Sequence, residues 1–530
     1  ERAAGTWTST GTNGSMFELT DSNKTELYLH DLTFQDASVT SRGGSVLYAN
    51  SANANAEIEN LYIKYNTSTG NGGAFDFENA DSISITNVDF TNNSSGGLGG
   101  AIYSAVDLNI VNANFSDNSA NSVANDIYLA NGADISFTTD ASGNSILGGI
   151  ASATSESVFT KYGTGDLNIS GNNSGFIGSL NITQGAVKYL AQTASDTFFN
   201  TENSKISIAD NASLVFNDAG LTDNTISNVV GMGSIQKLGA GELTLDGTVS
   251  GSERFTGSIV LDAGTLSINA SSQASAGVFD YSAAVDNGSI LNYISQSSDS
   301  YNINGSAKFE FGTENSGSKI NFTNGTYALG SDLTKGVGNV VLFNDSTVNT
   351  TGTNYAGNYG LSGSTLSLAD GSISDVQFAS LTSSNSLLNL DYSFAGAGSV
   401  DTLSSAVSGA VIDLNNINVV DYSDNGLHLN RVYTVLDGLT FGNGSYSSEL
   451  NSDLYHYTVS LENGTNIRIV ADDYVGETLY TLNHLKSGER LFSLVKDEPF
   501  EGKRLVKGLV KAFTACAGLI VVSYVCTIKY

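Results

Sequence analysis

Few side chains of this sequence could do chemistry at neutral pH. Its four histidines, His30, His428, His456 and His484, lie far apart in the chain, and none stands beside a serine or cysteine in a nucleophile motif. There is no H-E-x-x-H, no P-loop, no G-x-S-x-G, no EF-hand loop and no calcium-binding nonapeptide array. Carboxylates are the stronger candidates, because a pair of them can cleave a glycosidic bond. Asp76, Glu78, Asp81 and Asp89 cluster in one region, and Ala471-Asp472-Asp473 follows later. They sit in Asn- and Gly-rich stretches, where aspartate is favoured for the hydrogen bonds its short side chain makes to the backbone.

The balance of charge narrows the chemistry further. Against 53 Asp and Glu there are 22 Lys and Arg, eight of them after residue 485, for a formal net charge of -31. That field repels nucleic acid and anionic membrane surfaces, and it leaves no basic groove for a polyanionic substrate. Residues 1–515 contain no cysteine, so no disulfide framework and no thiolate metal site is expected there; Cys516 and Cys526 fall in the final stretch. The glycines of Ser94-Ser95-Gly96-Gly97-Leu98-Gly99-Gly100 are followed by a strand pattern rather than a helix, which removes the helix N-terminus a phosphate would need. No catalytic, cofactor-binding or metal-binding residue is expected.

The elements that must carry these side chains are strands. Fifty-eight glycines, one proline and 14% charged residues accompany short alternating apolar runs such as Leu243-Thr244-Leu245 and Ile467-Arg468-Ile469, broken by N-G, D-G and S-G pairs. That is the pattern of an all-β protein. The runs also recur at a fixed spacing. Phe34, Ile63, Phe90 and Phe115 each precede Gly43, Gly72, Gly99 and Ala124 by nine residues, so successive units are offset by 29, 27 and 25. On those anchors the apolar residues fall into columns: Leu27, Ala56, Ile83, Leu108; Leu29, Ile58, Ile85, Ile110; Leu32, Leu61, Val88, Ala113; and Val46, Phe75, Ile102, Ile127. A unit of about 27 residues cannot close a core alone, whereas coils stacked about 4.8 Å apart turn each column into a ladder. Asn66, Asn93 and Asn118 form a polar column expected to hydrogen-bond along the axis, with Ala37 as its exception. His30, Glu59 and Thr86 fall in an outward, solvated column.

Two sets of motifs carry a resemblance. Phe90 to Asn93, Phe115 to Asn118 and Gly99 to Ile102 resemble the paired F-x-x-N and G-G-A-(I/L/V) repeats of the polymorphic outer membrane proteins, a group of bacterial autotransporters; Gly72 to Phe75 and Gly43 to Val46 match approximately, and Ile63 to Asn66 has Ile for Phe. This likeness covers roughly residues 27–150. Residues 161–190 align with 237–269, bringing Gly165 onto Gly241, Gly171 onto Gly247, Gly178 onto Gly257 and Gly185 onto Gly264, and resemble the Gly-rich passenger-associated repeat K-x-G-x-G-x-L-x-L-x-G. Residues 433–441 and 455–470 are similar to the end of such passengers.

The resemblance implies a right-handed parallel β-helix (solenoid) over about residues 5–470, a hand that also follows from the rule for parallel crossovers. The expected organisation is a β-helix with polymorphic outer membrane protein-like repeats at 1–155, a passenger β-helix continuing the same solenoid at 156–470, and an atypical basic and apolar tail at 471–530. The N-terminus has no charged-then-apolar signal and reads as a mature form or a fragment. Sixty residues after Val470 are too few for a translocator barrel, and the uncharged run 512–528 reads as a short membrane anchor, a buried strand or a foreign tail. The expected function is that of a passenger displayed on, or secreted from, the outer membrane of a Gram-negative bacterium. It would be an adhesin for a host or neighbouring-cell receptor or glycan, with an outer-membrane translocator barrel as partner during secretion and no nucleic acid partner. The alternatives are a secreted β-helical carbohydrate-active enzyme and a structural surface spacer.

Overall fold

A computed structural model describes residues 5–495 apart from 9–13, 201–204, 247–254, 270–281, 296–299, 303–308, 394–398, 407–409, 424–430, 442–446, 452–454, 475–478, 482–492 and a few gaps of one to three residues. The tail run 512–528 therefore lies outside the described residues. The fold is all-β. Among the described residues there is no helix, and strands stack in parallel on their copies from neighbouring coils, forming a β-helix.

Register follows the columns of the sequence. Leu27, Ala56, Ile83 and Leu108 pair in succession, as do Leu29, Ile58, Ile85 and Ile110. Phe34 pairs with Ile63, Ile63 with Phe90 and Phe90 with Phe115, and all four are buried. The stacked rings of Phe90 and Phe115 lie 4.7 Å apart, 4° from parallel. Each of these four coils bends at two left-handed residues. One precedes the anchor by three places, at Asp31 (φ 58°), Asn60 (φ 56°), Asn87 (φ 53°) and Asn112 (φ 53°). The other is the third residue of F-x-x-N, at Asp36, Tyr65, Asn92 and Asp117. Asn and Asp adopt this conformation most readily of the non-glycine residues, which accounts for their density in the sequence.

A third corner uses glycine. Gly44, Gly72 and Gly99 have φ of 64°, 61° and 70°, and a Cβ on any of them would run into a carbonyl oxygen three residues on. The first coil thus departs from the expected phase by one residue: Gly44, not Gly43, turns the corner, and Leu47, not Val46, pairs with Phe75. One extra residue in the loop Thr40–Gly44 absorbs the difference, because the strand that follows must keep its apolar face inward.

The chain forms two compact units, Glu1–Gln296 with Ala307–Ile320, and Ser297–Ser306 with Asn321–Tyr530. The first holds the coils just described and both K-x-G-x-G segments. Within the second, Val340–Asn344, Asn354–Ser362, Asp375–Ser384 and Thr402–Ser405 stack in parallel. Buried Ser346, Ser364 and Ser386 form a column there, with the Ser346 N–H donating to Ser364 Oγ (3.1 Å) and the Ser364 N–H to Ser386 Oγ (3.4 Å). Parallel stacking gives way before residue 470: Arg431–Thr434, Asn466–Tyr474, Tyr455–Glu462 and Ser447–Asn451 form an antiparallel sheet. The left-handed pair Asn463 and Gly464 closes one of its hairpins, since an N-G turn matches the twist of adjoining antiparallel strands.

Candidate functional site

The motif lysines are structural. Lys161, fully buried, donates from Nζ to the carbonyls of Tyr162 (2.8 Å), Gly163 (2.8 Å) and Gln184 (3.1 Å), tying its own glycine turn to the next coil. Burial pulls its pKa down to about 8, against the opposing pull of Asp166. Lys237 is buried in the same way, but its Nζ lies 3.3 Å from Oδ1 of an equally buried Asp218 and also donates to the Gly239 carbonyl. The Gly241 N–H donates to the same Oδ1 at 3.2 Å. Gly185 packs on the carbonyls of Gly163 and Gly165 as Gly264 does on those of Gly239 and Gly241, so the two segments are equivalent in space; Gly247 lies outside the described residues.

The asparagine column is a continuous buried chain. Asn66 Nδ2 donates to Asn93 Oδ1 (2.9 Å), Asn93 Nδ2 to Asn118 Oδ1 (2.9 Å), and Asn118 Nδ2 to Asp126 Oδ1 (2.8 Å). Each Nδ2 also reaches the carbonyl of the preceding coil's anchor, Phe34, Ile63 or Phe90. At the other end the bare N–H of Ala37 donates to Asn66 Oδ1 (3.0 Å), which explains why the column ends there without an asparagine. Asp126, fully buried, terminates the ladder where Ala74 and Ala101 stand in earlier coils. Burial pushes its pKa up to about 7, against hydrogen bonds from Asn118 and from the Gly148 N–H (2.6 Å).

The remaining candidates are dispersed. His30 is exposed and pairs with Glu59, itself paired with Thr86, as an outward column. The side chains of His428, His456 and His484, and of Asp472 and Asp473, lie outside the described residues. Asp89 is half-buried and accepts a hydrogen bond from Asn114 Nδ2 (3.0 Å), while Asp81 is exposed just before the strand Ser82–Thr91. Among the described residues no group of three or more His, Cys, Asp or Glu could hold a metal ion.

Asp76 and Glu78 differ from the rest. Both belong to the strand Phe75–Asn79, two residues apart and so on one face, in a sheet with Phe17–Leu19, Leu47–Asn50, Ile102–Ser104 and Ile127–Leu129. The outward column of that sheet reads Glu18, Tyr48, Asp76, Tyr103, Tyr128. The three tyrosines are half-buried, and the rings of Tyr103 and Tyr128 stack 5.9 Å apart at 4°. The Arg42 guanidinium lies 4.9 Å over the Tyr48 ring and 3.1 Å from Glu18. Asp76 interrupts this aromatic row. It is 2% exposed, its Oδ1 has no hydrogen-bond partner, and a Cβ on Gly43 would lie 1.9 Å from its Oδ2. Burial, followed by the charge of exposed Glu78, pushes its pKa up to about 8, with Arg42 opposing; burial and these two carboxylates also push the Tyr103 phenol up.

The structure thus brings Asp76 and Glu78 together and leaves Asp81 and Asp89 apart from them. The tyrosine row was not recognised in the sequence, because the one-residue slip in the first coil sets Tyr48 against Asp76 rather than against Phe77. Neither the family models nor the curated proteins include a match to this chain.

Proposed function

We propose that the chain is an autotransporter passenger, displayed on or secreted from the outer membrane of a Gram-negative bacterium through a translocator barrel, and that it works as an adhesin for a receptor or glycan on another cell. The passenger reading rests on the phased F-x-x-N, G-G-A and K-x-G-x-G motifs. Binding, as its task, is supported by one observation: the buried asparagine column and the motif lysines are engaged in coil stacking, whereas the outward sheet carries a row of tyrosines beside carboxylates. Amphipathic rings on a rigid sheet suit recognition, since they present large contact area at little entropic cost. Binding of labelled full chain to host cells, compared with an unrelated β-helix of similar charge, tests this. Saturable binding above the control is expected, and equal binding would leave the structural spacer.

The pair Asp76 and Glu78 favours one second reading, a carbohydrate-active enzyme with a buried carboxyl of raised pKa beside an exposed one. Burial of the Asp76 carboxyl weighs against it, because a general acid must reach the leaving oxygen. Release of reducing ends from a glycan panel, abolished by Glu78→Gln, would establish the enzyme.

A further inference from the structure

We propose that Lys237 and Asp218 are a modification site, at which the lysine Nζ condenses with the aspartate carboxyl to form an intramolecular amide that ties two adjacent coils together. The site lies inside the coil stack of the first unit, and its chemistry does not depend on what the chain binds.

Strand register places the pair. Phe216, which ends the strand Ala212–Phe216, is the Cα partner of Lys237, which ends Ser234–Lys237, and Asp218 lies two residues past Phe216. Both side chains are fully buried, with Nζ 3.3 Å from Oδ1 and so one bond from the carbon it would attack. The equivalent place in the earlier segment has no electrophile. There Phe137 is the partner of Lys161, and two residues past it stands Thr139, whose Oγ1 donates to the Gly165 carbonyl (2.8 Å) while Lys161 Nζ donates to three carbonyls. Closing the glycine turn thus needs a buried lysine and backbone acceptors alone, and Asp218 is an addition that closure does not explain.

The surroundings favour condensation over a lasting ion pair. A buried pair gives up the hydration of two charges, and its attraction offsets that only when the remaining lone pairs are satisfied. Here, among the described residues, Asp218 Oδ2 has no hydrogen-bond partner. Burial also pulls the Lys237 pKa down, against the opposing charge of Asp218, which brings the neutral, nucleophilic amine within reach. Oδ1 accepts from the N–H groups of Gly241 (3.2 Å) and Gly220 (3.4 Å), donors that steady negative charge on this oxygen as the amine adds. Nζ bonds to Cγ, the Cγ–Oδ2 bond breaks, and Oδ2 departs as water with two of the three ammonium protons. Nothing is oxidised or reduced, and no co-reactant enters. The product suits the site better than the ions do. Its carbonyl oxygen keeps both glycine donors, its N–H keeps the Gly239 carbonyl to which Nζ already donates, and the unpartnered oxygen is gone.

The test is mass spectrometry of the full chain, shown to be folded by circular dichroism, held overnight at neutral pH, then denatured and digested with trypsin. The intact chain should weigh one water less than its sequence. Peptide 206–254 should appear as one looped species, lighter by one water and uncut after Lys237, while cleavage after Lys161 proceeds as usual. Lys237→Arg removes the nucleophile, so its peptide should keep the water and be cut after residue 237. Should that variant misfold, the wild-type digest decides alone. A full-mass peptide 206–237 as the main wild-type product overturns the proposal. So does a wild-type chain that has lost water yet is cut after Lys237, the mark of an imide formed with the aspartate's own backbone, and so does the same loss of water in folded Lys237→Arg.

Discussion

Asn93 uses all the hydrogen-bonding capacity of its side-chain amide. Oδ1 accepts from the N–H and the Nδ2 of Asn66 (3.1 and 2.9 Å), and Nδ2 donates to the Ile63 carbonyl and to Asn118 Oδ1 (both 2.9 Å). Removal orphans the Asn66 N–H and the Ile63 carbonyl in a buried place, each worth about 1–3 kcal/mol. Asn93→Ala is therefore expected to lower stability by about 3 kcal/mol, read from the urea midpoint of the first unit. A second expectation at this scale concerns pH. Asp76 and Asp126 have pKa values raised to about 8 and about 7, above the unfolded value near 3.9. The folded chain binds more protons than the unfolded one across that interval, so the contribution of these groups is full below about pH 4 and is lost as pH rises through 7 and 8. Urea midpoints at pH 4, 6 and 8 should fall in that order for this contribution, and Asp76→Asn should flatten the upper part. An unchanged slope in the variant would count against the burial of Asp76.

At the scale of the element, the corner decides whether a strand keeps its face. Gly99 has φ 70°, and a Cβ would lie 2.1 Å from the Ile102 carbonyl oxygen; Gly464 has φ 72° with nothing within 4 Å of its Cβ position. Gly99→Ala meets backbone in addition to conformational strain, so it should cost about 3 kcal/mol, against about 1–2 kcal/mol for Gly464→Ala, where strain acts alone. Thermal unfolding of the two variants checks the contrast. The same corners show what could be read in advance. Columns of Leu, Ile and Phe at spacing two were legible because only one face of each strand is buried, and Asn66, Asn93 and Asn118 were legible because their spacing matched. Tyr48 opposite Asp76 was not, since a single residue added in a loop leaves composition intact while moving the side chains of the strand that follows by one place, until the register shifts back at Asn50. Nor was the burial of Lys161 and Lys237, whose motif announces a turn without saying that the cation faces inward to cap it. The antiparallel end at 431–474 carried an N-G hairpin signal at Asn463-Gly464 that the repeat pattern overshadowed.

At the scale of the molecule, each unit buries its own stack of strands, and stability in such a stack is close to a sum of nearest-neighbour terms between coils. In-register parallel pairing is what turns the asparagine column into a ladder and the tyrosine column into a row, so the functional proposal depends on it. Glu59 and Thr86 are Cα partners on adjacent coils and face outward, whereas Ser84, two residues before Thr86 on the same face, is the diagonal neighbour of Glu59. Neighbouring parallel positions lie about 4.8 Å apart, inside the range a disulfide spans, and the diagonal lies about 8 Å away, outside it. With Cys516 and Cys526 replaced by serine, the variant carrying Glu59→Cys and Thr86→Cys should form an internal disulfide under mild oxidation, and the variant carrying Glu59→Cys and Ser84→Cys should not. Equal cross-linking in both, or none with Thr86→Cys, would contradict the parallel, in-register β-helix.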